Sequence, residues 1–173
     1  FLGLIFIEPD WGATVLLAVV CGMMLILAGT KLRFIVPPVL ALGAVGGYLL
    51  SQNPVRLNRI TSWLDPEGTK QGVGYQAWQS QIALGSGGTT GLGLGNGRQK
   101  LGFVPEHQTD FIFSVIGEEL GLIATMSVVV GFVLFLVCGA FIAIRARDFF
   151  GFLLASGLTF LIGLQAFINI GVV

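Results

Sequence analysis

Uncharged, mostly apolar residues run from Trp11 to Thr30, about the 20 residues of helix that a hydrocarbon core of roughly 30 Å requires. That stretch predicts a membrane span. Phe1 to Ile7 reads as the tail of an earlier span that turns at Glu8-Pro9-Asp10, where proline can open the next helix and Asp10 can cap it. A third uncharged stretch, Phe34 to Leu50, is entered through Pro37-Pro38, a pair expected to kink the helix or delay its start. From Phe111 to Ile144 the pattern is again apolar, interrupted by Glu118 and Glu119, and Phe149 to Val173 carries no charge. The periodicity therefore predicts an all-α fold: a polytopic transmembrane helix bundle with a large structured extracytoplasmic loop. Residues 1–50 would hold the end of one span and two further spans, 51–110 the loop with a short amphipathic helix, and 111–173 two more spans.

Lys31, Arg33, Arg145 and Arg147 fall in the two short connections. Short cytoplasmic loops are rich in Lys and Arg, so this face is expected to be cytoplasmic and the long segment external. The long segment is not linker-like, because Trp63, Tyr75, Trp78 and Phe103 are spread among turn residues and charges. Within it, Tyr75 to Leu84 places apolar residues at 75, 78 and 82, the spacing of a short amphipathic helix lying at the membrane interface. Gly85-Ser-Gly-Gly and Gly91-Leu-Gly-Leu-Gly-Asn-Gly follow. Neither nucleotide-binding glycine motif can be threaded through residues 85–100. Two readings stay open: plain turns, or a backbone nest that cradles an anion.

Composition sharpens the picture. Charged residues make up 10% and hydrophobic ones 54%, with mean hydropathy +0.89, against about 25% charged residues in soluble domains. Nine Lys and Arg balance nine Asp and Glu, which argues against nucleic acid as a partner. Cys21 and Cys138 lie in apolar runs without metal-ligand spacing, so no metal site is expected from them. Phe at position 1 and an apolar run reaching Val173 are expected of a piece of a longer chain, which alone would not be active.

The chemistry concentrates near one helix mouth. Pro105-Glu106-His107-Gln108-Thr109-Asp110 gathers two carboxylates and the chain's single histidine immediately before Phe111. Thr109 or Asp110 could simply cap the helix, but a carboxylate at the water–lipid boundary is also where a general base for a lipid-linked substrate would sit. Arg56, Arg59, Arg98 and Lys100 lie in the same outer segment, as cations suited to a pyrophosphate or to pairing with lipid phosphates, Asp65 or Glu67. Glu118 and Glu119 lie roughly 12 Å deeper than Asp110 along a continuous helix. Ionisable groups at that depth are costly, so Glu118 is expected to face a polar cavity and Glu119 to turn toward another helix.

Residues 92–121, LGLGNGRQKLGFVPEHQTDFIFSVIGEELG, resemble the signature region of the SEDS family (shape, elongation, division and sporulation), whose members polymerise peptidoglycan. Glu8-Pro-Asp-x-Gly, the Arg56 and Arg59 pair ahead of Trp63-Leu-Asp-Pro, and Gly74-Tyr-Gln-x-x-Gln-Ser80 support the resemblance. It implies a multi-pass protein of the bacterial cytoplasmic (inner) membrane. The implied activity is glycosyl transfer from lipid II, the undecaprenyl-pyrophosphate disaccharide pentapeptide, with a class B penicillin-binding protein as the transpeptidase partner. The family's proposed catalytic aspartate falls on Asp110. His107 is displaced by one position from its place in many members, and Gly93-Leu-Gly-Asn-Gly-Arg-Gln-Lys is closer to the division-type members.

On this reading Asp110 is the general base that deprotonates the acceptor hydroxyl, and the anomeric carbon is inverted as pyrophosphate leaves. Arg56, Arg59, Arg98, Lys100, Glu106 and Glu118 form the substrate-binding set. No cofactor is required, although a divalent metal could share the neutralisation of the pyrophosphate. The rival class is a flippase for the same lipid-linked precursor, for which intramembrane carboxylates and a broken helix would also be apt. A scaffold that recruits cell-wall enzymes ranks third.

Overall fold

The computed structural model describes residues 11–52, 54, 57–58, 68, 74–97 and 111–171. Its elements are α1 (Trp11–Leu27), α2 (Leu32–Ser51), α3 (Tyr75–Ser86), α4 (Ile112–Ile144) and α5 (Phe149–Gly171). The described residues contain no strand. At 1.5 Å per residue, the 20 residues of α2 and the 23 of α5 reach about 30 and 35 Å, enough to cross the apolar core. Three helices, α2, α4 and α5, are long and apolar enough to span a membrane. The 17 residues of α1 make a shorter apolar rod of about 26 Å.

Helix ends follow local chemistry. α1 stops at Leu27, short of the expected Thr30, because Gly29 donates to the Ile26 carbonyl and Thr30 to that of Leu25, the paired closure of a Schellman motif. Asp148 begins α5: its carboxylate accepts the Gly151 N–H at 2.9 Å, satisfying one of the donors a helix start leaves open. Pro37 and Pro38 do not delay the start of the helix. α2 begins before them, at Leu32, and carries both inside its second turn, close enough to the start that few backbone bonds are lost. At the ends of α2 and α4, the Arg33 guanidinium lies 4.8 Å from the Phe34 ring centroid and that of Arg145 lies 4.0 Å from Phe141, geometries that favour a cation over an aromatic face.

The chain divides into two compact units, Phe1–Val45 with Phe132–Phe167, and Gly46–Gly131 with Ile168–Val173. In the first, helices approach through glycine. A Cβ on Gly139 would strike Thr159, one on Gly163 would strike Leu136, and one on Gly157 would come within 2.9 Å of Met24 Sδ. Such close approach of backbones is how helices gain packing where lipid offers no hydrophobic contrast. The second unit contains α3, the glycine-rich turns and the N-terminal part of α4. Phe1 to Asp10, with the turn expected at Glu8-Pro9-Asp10, lies outside the described residues.

Candidate functional site: a broken helix closed by a glycine-rich loop

α4 is not one rod. At Gly121 the backbone takes φ 76° and ψ −172°, a region open essentially only to glycine. Residues 112–120 and 122–144 are thus two half-helices. The second, at 1.5 Å per residue, is about 35 Å long, by itself enough to cross the apolar core.

A break exposes carbonyls at one helix end and amides at the next, and at membrane depth such groups must find partners within the protein. The glycine-rich loop supplies them. Leu92 and Gly93 N–H donate to the Glu118 and Glu119 carbonyls, each at 2.9 Å, while Leu122 and Ile123 N–H donate to the Gly88 and Thr89 carbonyls at 2.9 and 3.4 Å. Within the loop, Gly91 N–H bonds Gly87 O and Asn96 N–H bonds Gly93 O. The remaining ambiguity about the glycines is resolved for these amides: they close a helix break and turn the loop, and none of those named is left to cradle a substrate anion.

Small residues make the docking feasible. On α4, Ser114, Gly117, Glu118, Gly121 and Thr125 are buried, and on α3 so are Ser80 and Ala83, with Gly87 just beyond the helix end. A Cβ on Gly87 would collide with the Gly117 carbonyl and lie 2.9 Å from Glu118 Cα. The hydroxyls of this layer are satisfied locally: Ser80 donates to Ala77 O, Ser114 to Phe111 O and Thr125 to Leu122 O, at 2.8, 2.7 and 2.9 Å. α3 forms where the 75, 78, 82 pattern predicts. Its buried face, however, is the small-residue one, while Ile82 and Leu84 remain 37% and 36% exposed. The small residues allow the close backbone approach to α4, and the exposed Ile82 leaves the apolar face free for the interfacial position its pattern predicts. The legible signal was the spacing of Ser114, Gly117, Gly121 and Thr125, one small residue every three or four positions.

Glu118 is 1% exposed, and its Oε2 would lie 2.9 Å from a Cβ on Gly97. Glu119 also turns to the loop: its Oε2 accepts the Gly95 N–H at 3.1 Å and its Oε1 would lie 3.0 Å from the same Gly97 Cβ. The two carboxylates thus converge on one glycine. The expectation that Glu119 turns toward another helix is corrected, because a glutamate side chain is long enough to fold back over the helix end. An adjacent cleft of about 410 Å³ is lined by apolar groups, among them Leu84, Phe113, Leu122 and Met126, and Glu118 is not part of its wall. Glu118 thus packs under the loop.

Arg56, Arg59, Lys70, Arg98, Lys100, Glu106, His107 and Asp110 lie outside the described residues. The described residues on either side are both anchored to one half-helix. Gly97 rests against its C-terminal carboxylates, and Phe111, 6% exposed, stands at its start about 10 Å away. Among the described residues no group of three or more His, Cys, Asp or Glu side chains gathers.

An all-helical architecture with several helices long enough to span a membrane, one of them discontinuous and closed by a docked loop, fits a multi-pass membrane protein. The family model of the cell cycle proteins FtsW, RodA and SpoVE matches residues 1–173. The chain belongs to that family. Among its relatives are proteins named "Probable peptidoglycan glycosyltransferase FtsW" from Trichlorobacter lovleyi, 45% identical over 99% of this chain and 45% of the relative, and from Marinobacter nauticus, 44% identical over 98% and 43%. A third, from Geobacter sp., is 42% identical over 100% and 47%. The chain spans less than half the length of these relatives.

Proposed function

We propose that this family member is a division-type peptidoglycan glycosyltransferase of the bacterial inner membrane, polymerising lipid II into glycan strands beside a class B penicillin-binding protein. The observation that supports it most is that relatives bearing the glycosyltransferase name match along nearly the whole chain. Asp110 takes the proton of the acceptor hydroxyl, and attack on the anomeric carbon proceeds with inversion as the lipid pyrophosphate leaves. Arg56, Arg59, Arg98 and Lys100 hold the pyrophosphate, with Glu106 completing the polar mouth and Glu118 supporting it from beneath the glycine loop. This chemistry needs no acid for the leaving group, because fixed cations stabilise the charge that develops on it. It requires no cofactor, and a divalent metal is compatible with it as an additional counter-charge.

Anchoring of Gly97 and Phe111 on the same half-helix supports the grouping, since Arg98 follows the first and Asp110 precedes the second. The test is glycan-chain formation from lipid II by the full-length protein with its partner. Asp110→Ala should lower it by about 10²–10⁴-fold, the usual loss with a general base, while insertion and partner binding persist. Activity within a few-fold of wild type would remove Asp110 from that role.

One observation favours the flippase reading: discontinuous helices recur in transporters, where half-helix ends meet the cargo. In α4 the backbone groups at the break are instead bonded to the protein's own loop. Flipping of lipid II without polymer would decide for transport.

A further inference from the structure

We infer that the two short connections of the first compact unit form one binding site for an anionic phospholipid, in which Arg33 and Arg145, each held over an aromatic ring, grip the headgroup phosphate while neighbouring apolar residues meet the acyl chains. The inference does not depend on the proposed function. Both connections belong to the same unit. Within it Gly157 of α5 approaches Met24 of α1, about 5 Å before the end of α1 and about 12 Å after the start of α5. With alternate crossings, that contact puts the α1–α2 and α4–α5 connections at one end of the unit. Lys31, Arg33, Arg145 and Arg147 are all exposed there. The same connections hold a single carboxylate, Asp148, whose Oδ2 accepts the Gly151 N–H.

Orientation in the membrane requires only a count of positive charges, which lysine supplies as well as arginine. The structure adds geometry. The Arg33 guanidinium lies 4.8 Å from the Phe34 ring centroid and that of Arg145 lies 4.0 Å from Phe141. A guanidinium held over a ring face spends no N–H donor on it, so its planar fork stays open to the oxygens of a phosphate. The surroundings suit a lipid better than a free ion. Leu32, Phe34, Phe141 and Ile144 are all more than half exposed, an apolar surface beside the cations at the level where interfacial aromatic residues sit. A phosphodiester that carries acyl chains meets both surfaces at once, and basic clusters at the ends of membrane helices are where anionic headgroups bind.

Native mass spectrometry of the full-length protein in detergent, given equimolar dioleoylphosphatidylglycerol and dioleoylphosphatidylcholine, reads the site directly. Wild type should retain the anionic lipid about tenfold over the zwitterionic one. The double variant Arg33→Lys, Arg145→Lys keeps every charge, and with it the orientation, but loses the planar fork, so its preference should fall to about twofold. Phe34→Leu with Phe141→Leu keeps charge and apolar surface and should lower the preference by about threefold for each ring lost. Inorganic phosphate in large excess should displace little of the bound lipid. Equal retention of both lipids by wild type overturns the site. An unchanged preference in the lysine variant would mean that the connections act by charge alone, and overturns the grip on phosphate. Release of the lipid by phosphate would mean that the site reads a free anion, and overturns the part given to the acyl chains. Where the leucine pair fails to fold, the lysine pair, with its thermal midpoint compared to wild type, still decides.

Discussion

Gly121 is the residue at which α4 breaks. Its φ of 76° strains any side chain by about 1–3 kcal/mol, and a Cβ there would strike Gly91 N and lie 2.6 Å from Thr89 O, both backbone atoms that cannot move aside alone. Gly121→Ala should therefore lower the thermal midpoint of the full-length protein in detergent and reduce polymerisation at least tenfold; a variant with wild-type melting and turnover would show that the break is dispensable. The cations give a second test at this scale. The double substitution of Arg98 and Lys100 by Ala should weaken lipid II use far more than Lys70→Ala, without loss of folded protein, because the first two follow the anchored Gly97 and Lys70 does not. Equal effects on polymerisation across these variants would reduce the loop's charges to a general field.

Elements were the most legible level of the sequence, because long uncharged runs leave few alternatives to a spanning helix. α5 and the boundaries of α3 lie close to where Phe149 and Tyr75 announce them. The break in α4 was illegible for a physical reason. Glycine is frequent in membrane helices, and an apolar run through Gly121 looks the same whether or not the backbone turns there. Reading Glu119 by a 3.6-residue period gave its azimuth but not its destination, since a long side chain near a helix end can fold toward whatever docks on that end. Helix contacts carry their own prediction. Gly163→Ala drives a methyl into Leu136 and should cost about 1–3 kcal/mol, measured by thermal unfolding in detergent. Adding Leu136→Ala should recover part of that cost through a coupling of about 0.5–3 kcal/mol, and strict additivity would show that the two helices do not meet there.

Across the whole molecule, the candidate site was legible as residue types and illegible as geometry. Asp110, Arg98 and Lys100 could be singled out because charge is rare in a chain with only 10% charged residues, so each charged side chain stands out against lipid. What the glycines ahead of Arg98 do was not readable, since the same run is consistent with plain turns or an anion nest. The structure gives the Gly88 and Thr89 carbonyls and the Leu92 and Gly93 amides to α4, so that the turns plug the break.

That plug bears on how α4 matches the bilayer. An unbroken α4 of 33 residues would be about 50 Å long, overshooting the hydrocarbon by roughly 20 Å, a mismatch that tilting or local thickening would have to absorb. In such a rod the Leu122 and Ile123 amides would return to the Glu118 and Glu119 carbonyls, two bonds in place of the four that the loop now makes. With the break, the stretch that has to match the hydrocarbon is the half-helix after Gly121, about 35 Å, and the groups freed at Gly121 are satisfied by the protein's own backbone.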